Sequence, residues 1–450
     1  MGSVSPFSAL NTAFSGLQAA QAALNITSKN IASVGVDGYS RQRVHQEAQP
    51  GATTLGGLAP ISGVTVASYE RIRDTLLDRR LYDQLPRSGD ADARSSMMGQ
   101  VELAFAEPTE YGLQHVMDRF WSAWQSASSS PTSEPARQAL IDRAGSMTET
   151  FNQINSQLDT VIGQITDEQT QRGVEITQMA ADIASLNQDI QLTRSYGGSA
   201  SDLEDKRDLI IGKLAEYGNV SVDHLESGMV NVSFGAGPLV TGTAAAAAGQ
   251  IQTDINTVSS GRMFALEDMR ATVIPSLTAK LDSIAMAIRD QVNTAHQTGF
   301  DLDGNPGGVV FTGSDALNFS LDATWASSPR KVAMSNSSTA PGNNSIAINI
   351  SSLDSLAGTV SGTASIRGAY GSLVSSVGSL VQQARSSQAV QGVISDSIRN
   401  KVDGVSGVSM DEEMSNLIRY QQSYSAAARA VTAIDQMMDV LINRTGKVGM

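Results

Sequence analysis

The sequence predicts an α+β protein, mainly long α-helices in a bundle formed by both chain ends, with a smaller β-rich outer domain inserted between them. Three observations carry that expectation. Apolar residues recur every seven positions at both ends of the chain. Helical spacing fills most of the interior. Two interior stretches, 216–264 and 301–358, shift to a period of two or become rich in Gly, Asn and Ser. Residues 1–70 and 405–450 are therefore read as a terminal coiled-coil domain. A helical bundle takes 71–215, 265–300 and 359–404, and the two interior stretches form the outer domain.

In order along the chain, Leu10, Leu17, Leu24 and Ile31 repeat every seven residues, and Ala13, Ala20, Thr27 and Val34 follow each by three. This is the seam of a helix that packs along another helix. The first charged side chain is Lys29. The pattern breaks at "GVDGYSRQ", where Asp37-Gly38 signals a turn, and 48–64 reads as loop or short extended pieces. Helical spacing resumes near Ile72 and Leu76 and continues through Leu113, Val116, Phe120 and Trp124. Ser133 is placed as an N-cap with Pro135 in the first turn. Phe151, Leu158, Ile165, Met179 and Leu186 then share one register, with Ile162, Ile176, Ile183 and Ile190 beside it. Gln169, Arg172 and Gly173 interrupt both rows, which predicts a bend or a polar layer. "SYGGSAS" closes that helix.

Val220, Val222, Val230, Val232 and Phe234 have strand spacing and lead to a loop, "TGTAAAAAG". Leu266, Met269, Val273, Leu277, Leu281, Ile284 and Ile288 return to helical spacing, with a kink expected at Pro275. Within 299–358 the runs "VVF" and "SIAINI" look β-like. Ile366, Tyr370, Leu373, Val377 and Leu380 begin another helix. In the last one Met410, Leu417, Tyr424, Val431 and Met438 repeat every seven, and Met414, Gln421, Ala428 and Ile442 form a second row that Asp435 interrupts. Ser409 and Glu412 have capping-box spacing, and Asp411, Glu412 and Glu413 suit the positive end of the helix dipole.

The two clearest seams lie at opposite ends of the chain and can meet as an antiparallel pair. Ala13, Ala20, Thr27, Gln421 and Ala428 offer little apolar area, so such a pair gains less than a Leu/Ile zipper. One expectation is that the ends order only when many copies pack. The other is an ordinary intramolecular pair capping a bundle.

Composition narrows the function. With 41% hydrophobic and 17% charged residues, the 450-residue chain has ample material for cores. A net charge of −14 and an isoelectric point near 4.7 argue against nucleic acid and against anionic lipid as partners. The absence of cysteine removes disulfides, thiolate metal sites and cysteine nucleophiles. No apolar stretch approaches the roughly 20 residues of a membrane span, so no membrane insertion is expected. The N-terminus lacks the basic region and unbroken apolar run of a cleavable secretory signal.

No catalytic constellation is legible. His45, His115, His224 and His296 are scattered, and no HExxH, GxSxG or phosphate-binding loop occurs. "DLDGNPG", from Asp301 to Gly307, has part of a calcium-loop pattern but lacks a third ligand, and Thr312 stands where the twelfth-position Glu belongs. A turn is the better reading. No enzyme, cofactor or metal is expected. Arg419 and Arg429 could pair across a subunit boundary or be solvated, and Tyr39 and Arg41 could be contact residues or simply cover the helix end.

"SGLQAAQAALNITSKNIA" with "GYSRQ" resembles the N-terminal motif of flagellar rod, hook and hook-associated proteins, and "GVSMDEEMSNLIRYQQSYSAAARAVTAIDQMMDVLINR" resembles their C-terminal motif. The "GYSRQ" ending is similar to the hook-associated members, since hook and rod relatives usually carry Lys after Gly-Tyr. "DRFWSAWQSASSSPTSEPARQALIDRA", "IASLNQDIQ", "DLEDKRDLII" and "HQTGFDLDGNPG" extend the similarity inward. Ser33 stands where the family usually has Asn, and Val36-Asp37 where Thr-x is common. The outer β region is short for the family, against a large outermost domain.

The resemblance implies a structural role at the junction between flagellar hook and filament, with export unfolded through the flagellar channel and an extracellular location. It implies self-assembly into an axial polymer, neighbours that include the hook protein and a second hook-associated junction protein, and a cytoplasmic export chaperone on the C-terminal helix. Leu10, Leu17, Leu24, Ile31, Tyr39, Met410, Met414, Leu417, Tyr424, Val431 and Met438 are the expected packing residues. Alternatives are a hook or distal-rod protein, or a secreted adhesin or enzyme carried in the β-rich region.

Overall fold

Both ends of the chain are helical: α1 is Pro6–Ala32 and α12 is Met410–Asn443. The computed structural model describes residues 6–49, 63–360, 362 and 364–443. The chain divides into two compact units, one from Met1–Pro86, Glu175–Thr257 and Gly392–Met450, the other from Arg87–Val174 and Val258–Gln391. This redraws the expected domains. The strands of 220–245 belong with the chain ends, and 301–358 belongs with the helical core, so the two stretches read as one outer domain are parts of different units.

The unit holding the chain ends contains a hairpin of β1 (Gln42–Gln49) and β2 (Gly63–Arg71) that covers α1. Residues 50–62, most of the expected 48–64 loop, lie outside the described residues. Gly63 has φ +134°, and a Cβ there would strike the Ser15 hydroxyl of α1, so only glycine lets the strand start this close to the helix. A four-stranded antiparallel sheet follows, with β3 (Val220–His224), β4 (Val230–Phe234), β5 (Gly237–Thr241) and β6 (Ala244–Ala245) in sequence order. Val230, Val232 and Phe234 are buried, as their alternation requires. Asn187, fully buried on α4 (Glu134–Ser195), fastens this sheet. Its amide nitrogen donates to the carbonyls of Val230 and Gly242, and its oxygen accepts from the Val230 N–H. The alanine run read as a loop instead ends the sheet and opens α6 (Ala248–Ile255).

The other unit has the larger apolar core. Helices α2 (Thr75–Phe105), α3 (Leu113–Ser129), α4, α8 (Ile274–Gln297) and α11 (Ile366–Ser406) contribute to it. Phe120 meets Trp121, Trp124 and Phe311 edge-on, with centroids 4.7 to 6.5 Å apart. Such rings each bury a large apolar area and prefer this geometry. The segment Arg262–Gln297 is long and apolar enough by composition to cross a membrane, although the sequence reading found no such stretch. Its Leu277, Leu281, Ile284, Ile288 and Val292 are buried in this core, which accounts for the apolarity.

Local expectations meet the structure with informative exceptions. Ser133 accepts at its hydroxyl from the Ala136 N–H, as an N-cap does. The α4 helix runs unbroken through 169–173, and the interruption is a polar layer. Gln169 donates to Glu267, and Arg262 reaches Glu168 at 2.6 Å. Pro275 sits in the first turn of α8, after a π-helical turn at Met269–Val273 that absorbs the missing N–H. "SIAINI", read as β-like, forms helix α10 (Ser345–Ser351). Ile346, Ala347 and Ile350 are buried at helical spacing, and Ile348 is 49% exposed.

At Gly307 a Cβ would overlap the His296 carbonyl and crowd the Ala333 methyl, both backbone-fixed. Gly307→Ala is expected to cost about 2 kcal/mol by overpacking. A urea midpoint within error of the native chain's would contradict that.

Candidate functional site

Helices α1 and α12 lie along one another. Contact between Asn30, near the end of α1, and Glu413, near the start of α12, makes the pair antiparallel. The buried face of α1 is made of small residues, Ala19, Ala20, Ala23 and Thr27, with Asn30 at its end. Leu10, Leu17, Leu24 and Ile31 flank it, half-buried. On α12, Leu417, Tyr424, Val431 and Met438 are half-buried, and their companion row is Tyr420, Ala427 and Ile434. Of the expected second row only Ala428 is half-buried: Met414 is 45% and Ile442 67% exposed, and Gln421 also faces out. Met410 is exposed as well. A heptad has a neighbouring row on either side, and only the partner selects between them.

At the end of the pair the packing turns polar. Asn30 uses its full hydrogen-bonding capacity: its oxygen accepts from the Tyr39 hydroxyl (2.8 Å) and the Gln42 N–H (3.1 Å). Its amide donates to the Gln42 carbonyl (2.9 Å) and to Glu413 (3.1 Å). Arg41 Nε donates to Glu413 at 2.7 Å, and its Nη1 to Glu412 at 2.6 Å. The Arg41 N–H donates to the Ser406 carbonyl, and its own carbonyl accepts from Ile72. One residue of "GYSRQ" thus ties together the first turn of α12, the end of α11 and the chain leaving β2. Glu412, expected in a capping box, is the Arg41 partner here. The Glu413 side chain is only 2% exposed, and these partners enclose it.

A second ring of charges adjoins the first. The Ser40 N–H donates to Asp205, and Lys29 and Gln42 both donate to Asp202. Arg71 meets Glu204, Asp205 and Asp208 at 2.8 to 3.0 Å. Arg73 bridges Asp208 and Asp78. Apart from Asp78 of α2, the acids come from α5 (Ser201–Tyr217), whose "DLEDKRD" run supplies them at helical spacing.

Electrostatics follow from this geometry. Burial first, and then the charge of Asp202, push the Tyr39 hydroxyl up to about 12, so it stays protonated and donates. Burial opposes ionisation of Asp208, yet Arg71, Arg73 and Arg207 outweigh it and hold the carboxyl below its ordinary value. Burial likewise opposes Asp202, and hydrogen bonds from Lys29 and Gln42 prevail to lower it.

Sequence reasoning singled out Tyr39 and Arg41 as contact residues and missed Asn30, Glu413 and the α5 acids as a set. The signal was there: charges are scarce in this chain, and "ERIRD" and "DLEDKRD" concentrate them. Arg419 donates to Asn416 and Tyr420, and Arg429 to the Ser425 carbonyl, all on their own helix. Among the described residues no group of three His, Cys, Asp or Glu side chains could hold a metal ion. Asp301 spends its carboxylate on the N–H groups of Asp303 and Asn305 and on the Asn305 amide, as a turn residue does. The arrangement holds two chain ends together.

Comparison with known proteins gives one consistent result. The family model described as flagellar hook-associated protein FlgK helical domain matches residues 98–253 and 245–311. The flagella basal body rod protein model matches 10–39, and the flagellar basal body rod FlgEFG protein C-terminal model matches 404–444. These last two fall on α1 and α12. Flagellar hook-associated protein 1 of Bacillus subtilis is 27% identical over 99% of both chains. That of Escherichia coli is 26% identical over 97% of this chain and 99% of its own length. The solved flagellar hook junction protein FlgK from Burkholderia pseudomallei superposes with a TM-score of 0.64 at 15% identity, covering 73% of this chain and all of its own.

Proposed function

The chain belongs to the flagellar hook-associated protein family, and we propose that it is the structural subunit joining hook to filament in the bacterial flagellum, assembled through its paired terminal helices. The observation that carries this reading is the clasp in which Arg41 and Asn30 meet Glu413, because it turns two distant rod-protein-like segments into one helical pair. A polymer subunit needs such a pair preformed or nearly so, since the small-residue stripe of α1 gains little apolar area by itself.

On this reading the protein is not an enzyme and takes no cofactor. It works outside the cell, as a component of the flagellum. It stacks on copies of itself, with the hook protein on one side and a second hook-associated junction protein on the other. A cytoplasmic export chaperone covers α12 before secretion, where Met410, Met414 and Ile442 offer exposed apolar surface.

Electron microscopy of cells lacking the gene, with filament subunits assayed in the medium, tests the proposal. Bare hooks and lost filament subunits are expected. Absence of hooks would reassign the protein to the rod or hook, and intact flagella would overturn the structural reading altogether.

A further inference from the structure

His296, at the end of α8, is completely buried and is not explained by assembly. Its Nδ1 lies 2.7 Å from the Gly308 carbonyl. Its Nε2 lies 3.1 Å from the indole Nε1 of Trp325 and 2.8 Å from the Ala333 N–H. Both of those groups are donors only, so the ring is neutral, with its proton on Nδ1 donated to Gly308 and Nε2 accepting twice. The three bonds tie α8 to three points of the segment 299–335. The residue before Ala333, Val332, is held from another side: the Arg137 guanidinium of α4 donates to its carbonyl and to that of Pro131.

We propose that His296 is an acid-sensitive latch, and that protonating it releases the segment 299–335 from the core while the surrounding helices stay folded. A proton on Nε2 would point at two N–H donors that it cannot bond. The charged groups facing the ring are Arg137 from α4 and Asp301 from the loop after α8. Trp124 from α3 and Trp325 from α9 (Ala323–Ala326) present only rings and an indole N–H. A charged imidazole would therefore face one buried cation and one carboxylate that the turn at 301–305 already engages. Release uncovers Phe311, Phe319, Trp325 and Met334, all of which belong to the apolar core.

The sign follows from the native environment. Burial above all, reinforced by Arg137, pushes the imidazole down to about 4 from its ordinary 6.5. The latch is complete above pH 6.5 and is lost as pH falls through about 4. That gap corresponds to an about 300-fold shift in the closed-to-open ratio between neutral and fully protonated states.

The three tryptophans, Trp121, Trp124 and Trp325, report on it directly. In the full chain labelled with 15N-tryptophan, the Trp325 indole signal is expected to collapse to a solvent-exposed position between pH 5 and 4, with far-UV circular dichroism unchanged. His296→Gln keeps an acceptor but cannot take the proton, and is expected to abolish that step. Loss of the indole signal and of helicity together at one pH overturns the latch, as does a step that persists in His296→Gln. The native-chain comparison decides even where the variant fails to fold.

Discussion

Replacing Arg41 with alanine is expected to open the paired chain ends while leaving the other unit intact. The substitution removes the Nε–H that reaches Glu413 at 2.7 Å and the Nη1–H that reaches Glu412. Asn30 is then the remaining neutral donor to a carboxylate whose side chain is 2% exposed. Leaving a buried charge without its partner costs about 3–5 kcal/mol. Little apolar burial opposes the loss, because the α1 stripe is built of alanine and threonine. Hydrogen exchange should quicken about 100-fold or more in α1 and α12, since each 1.4 kcal/mol is tenfold, with 113–165 unchanged. Cells carrying the variant should lose filaments. Exchange at the native rate in α12 would mean that the helical seam alone holds the ends. Arg41→Lys, which keeps the charge but loses the fork that spans both glutamates, should fall between.

The second large effect is at Asp208. Its carboxylate accepts from Arg71 at 2.8 Å and Arg73 at 2.6 Å and lies beside Arg207. Asp208→Asn preserves the shape and removes the charge, leaving three guanidinium groups in one partly buried place. Arg71 keeps Glu204 and Asp205, and Arg73 keeps Asp78, so the cluster is strained without dispersing. The expected loss is again about 3–5 kcal/mol, by the same argument about an uncompensated buried charge. It carries a pH signature. The native carboxyl is depressed, so its contribution is complete above the ordinary carboxylate value near 3.8 and fades as pH falls through the lower native one. Urea midpoints measured from pH 6 down to pH 2.5 should therefore converge for native chain and variant at the acid end. A constant difference across that range would show that Asp208 acts through shape and not charge.

How much of this was legible depended on whether a residue's role is periodic. Leu17, Leu24, Leu417 and Tyr424 announced two helices by spacing alone, and the structure pairs them. Glu413 could not announce itself. A glutamate in a first helical turn is explained by the dipole, and its burial arises only from residues some 370 positions away. The same holds for the inner row of α12, where Tyr420, Ala427 and Ile434 were as available as Met414 and Gln421 until α1 chose between them. "SIAINI" shows the opposite failure: a short run that looked β-like is a helix, in which Ala347 is buried and Ile348 exposed. His296 looked like one of four scattered histidines, because its three partners come from a segment with no periodic pattern.

The separation of the clasp partners also governs timing. Asn30 and Glu413 are 383 residues apart, and Arg41 and Glu413 are 372 apart. Closing so long a flexible loop carries an entropic cost that shrinks only as the intervening chain folds and draws its ends together. The contact is therefore favoured by prior folding of the chain between its partners. A molecule emerging N-terminus first from any narrow conduit presents α1 alone, with its stripe of small residues uncovered, until the final forty residues have followed. A chain truncated before α12 lacks the helix that lies along α1, and its small-residue stripe stays uncovered.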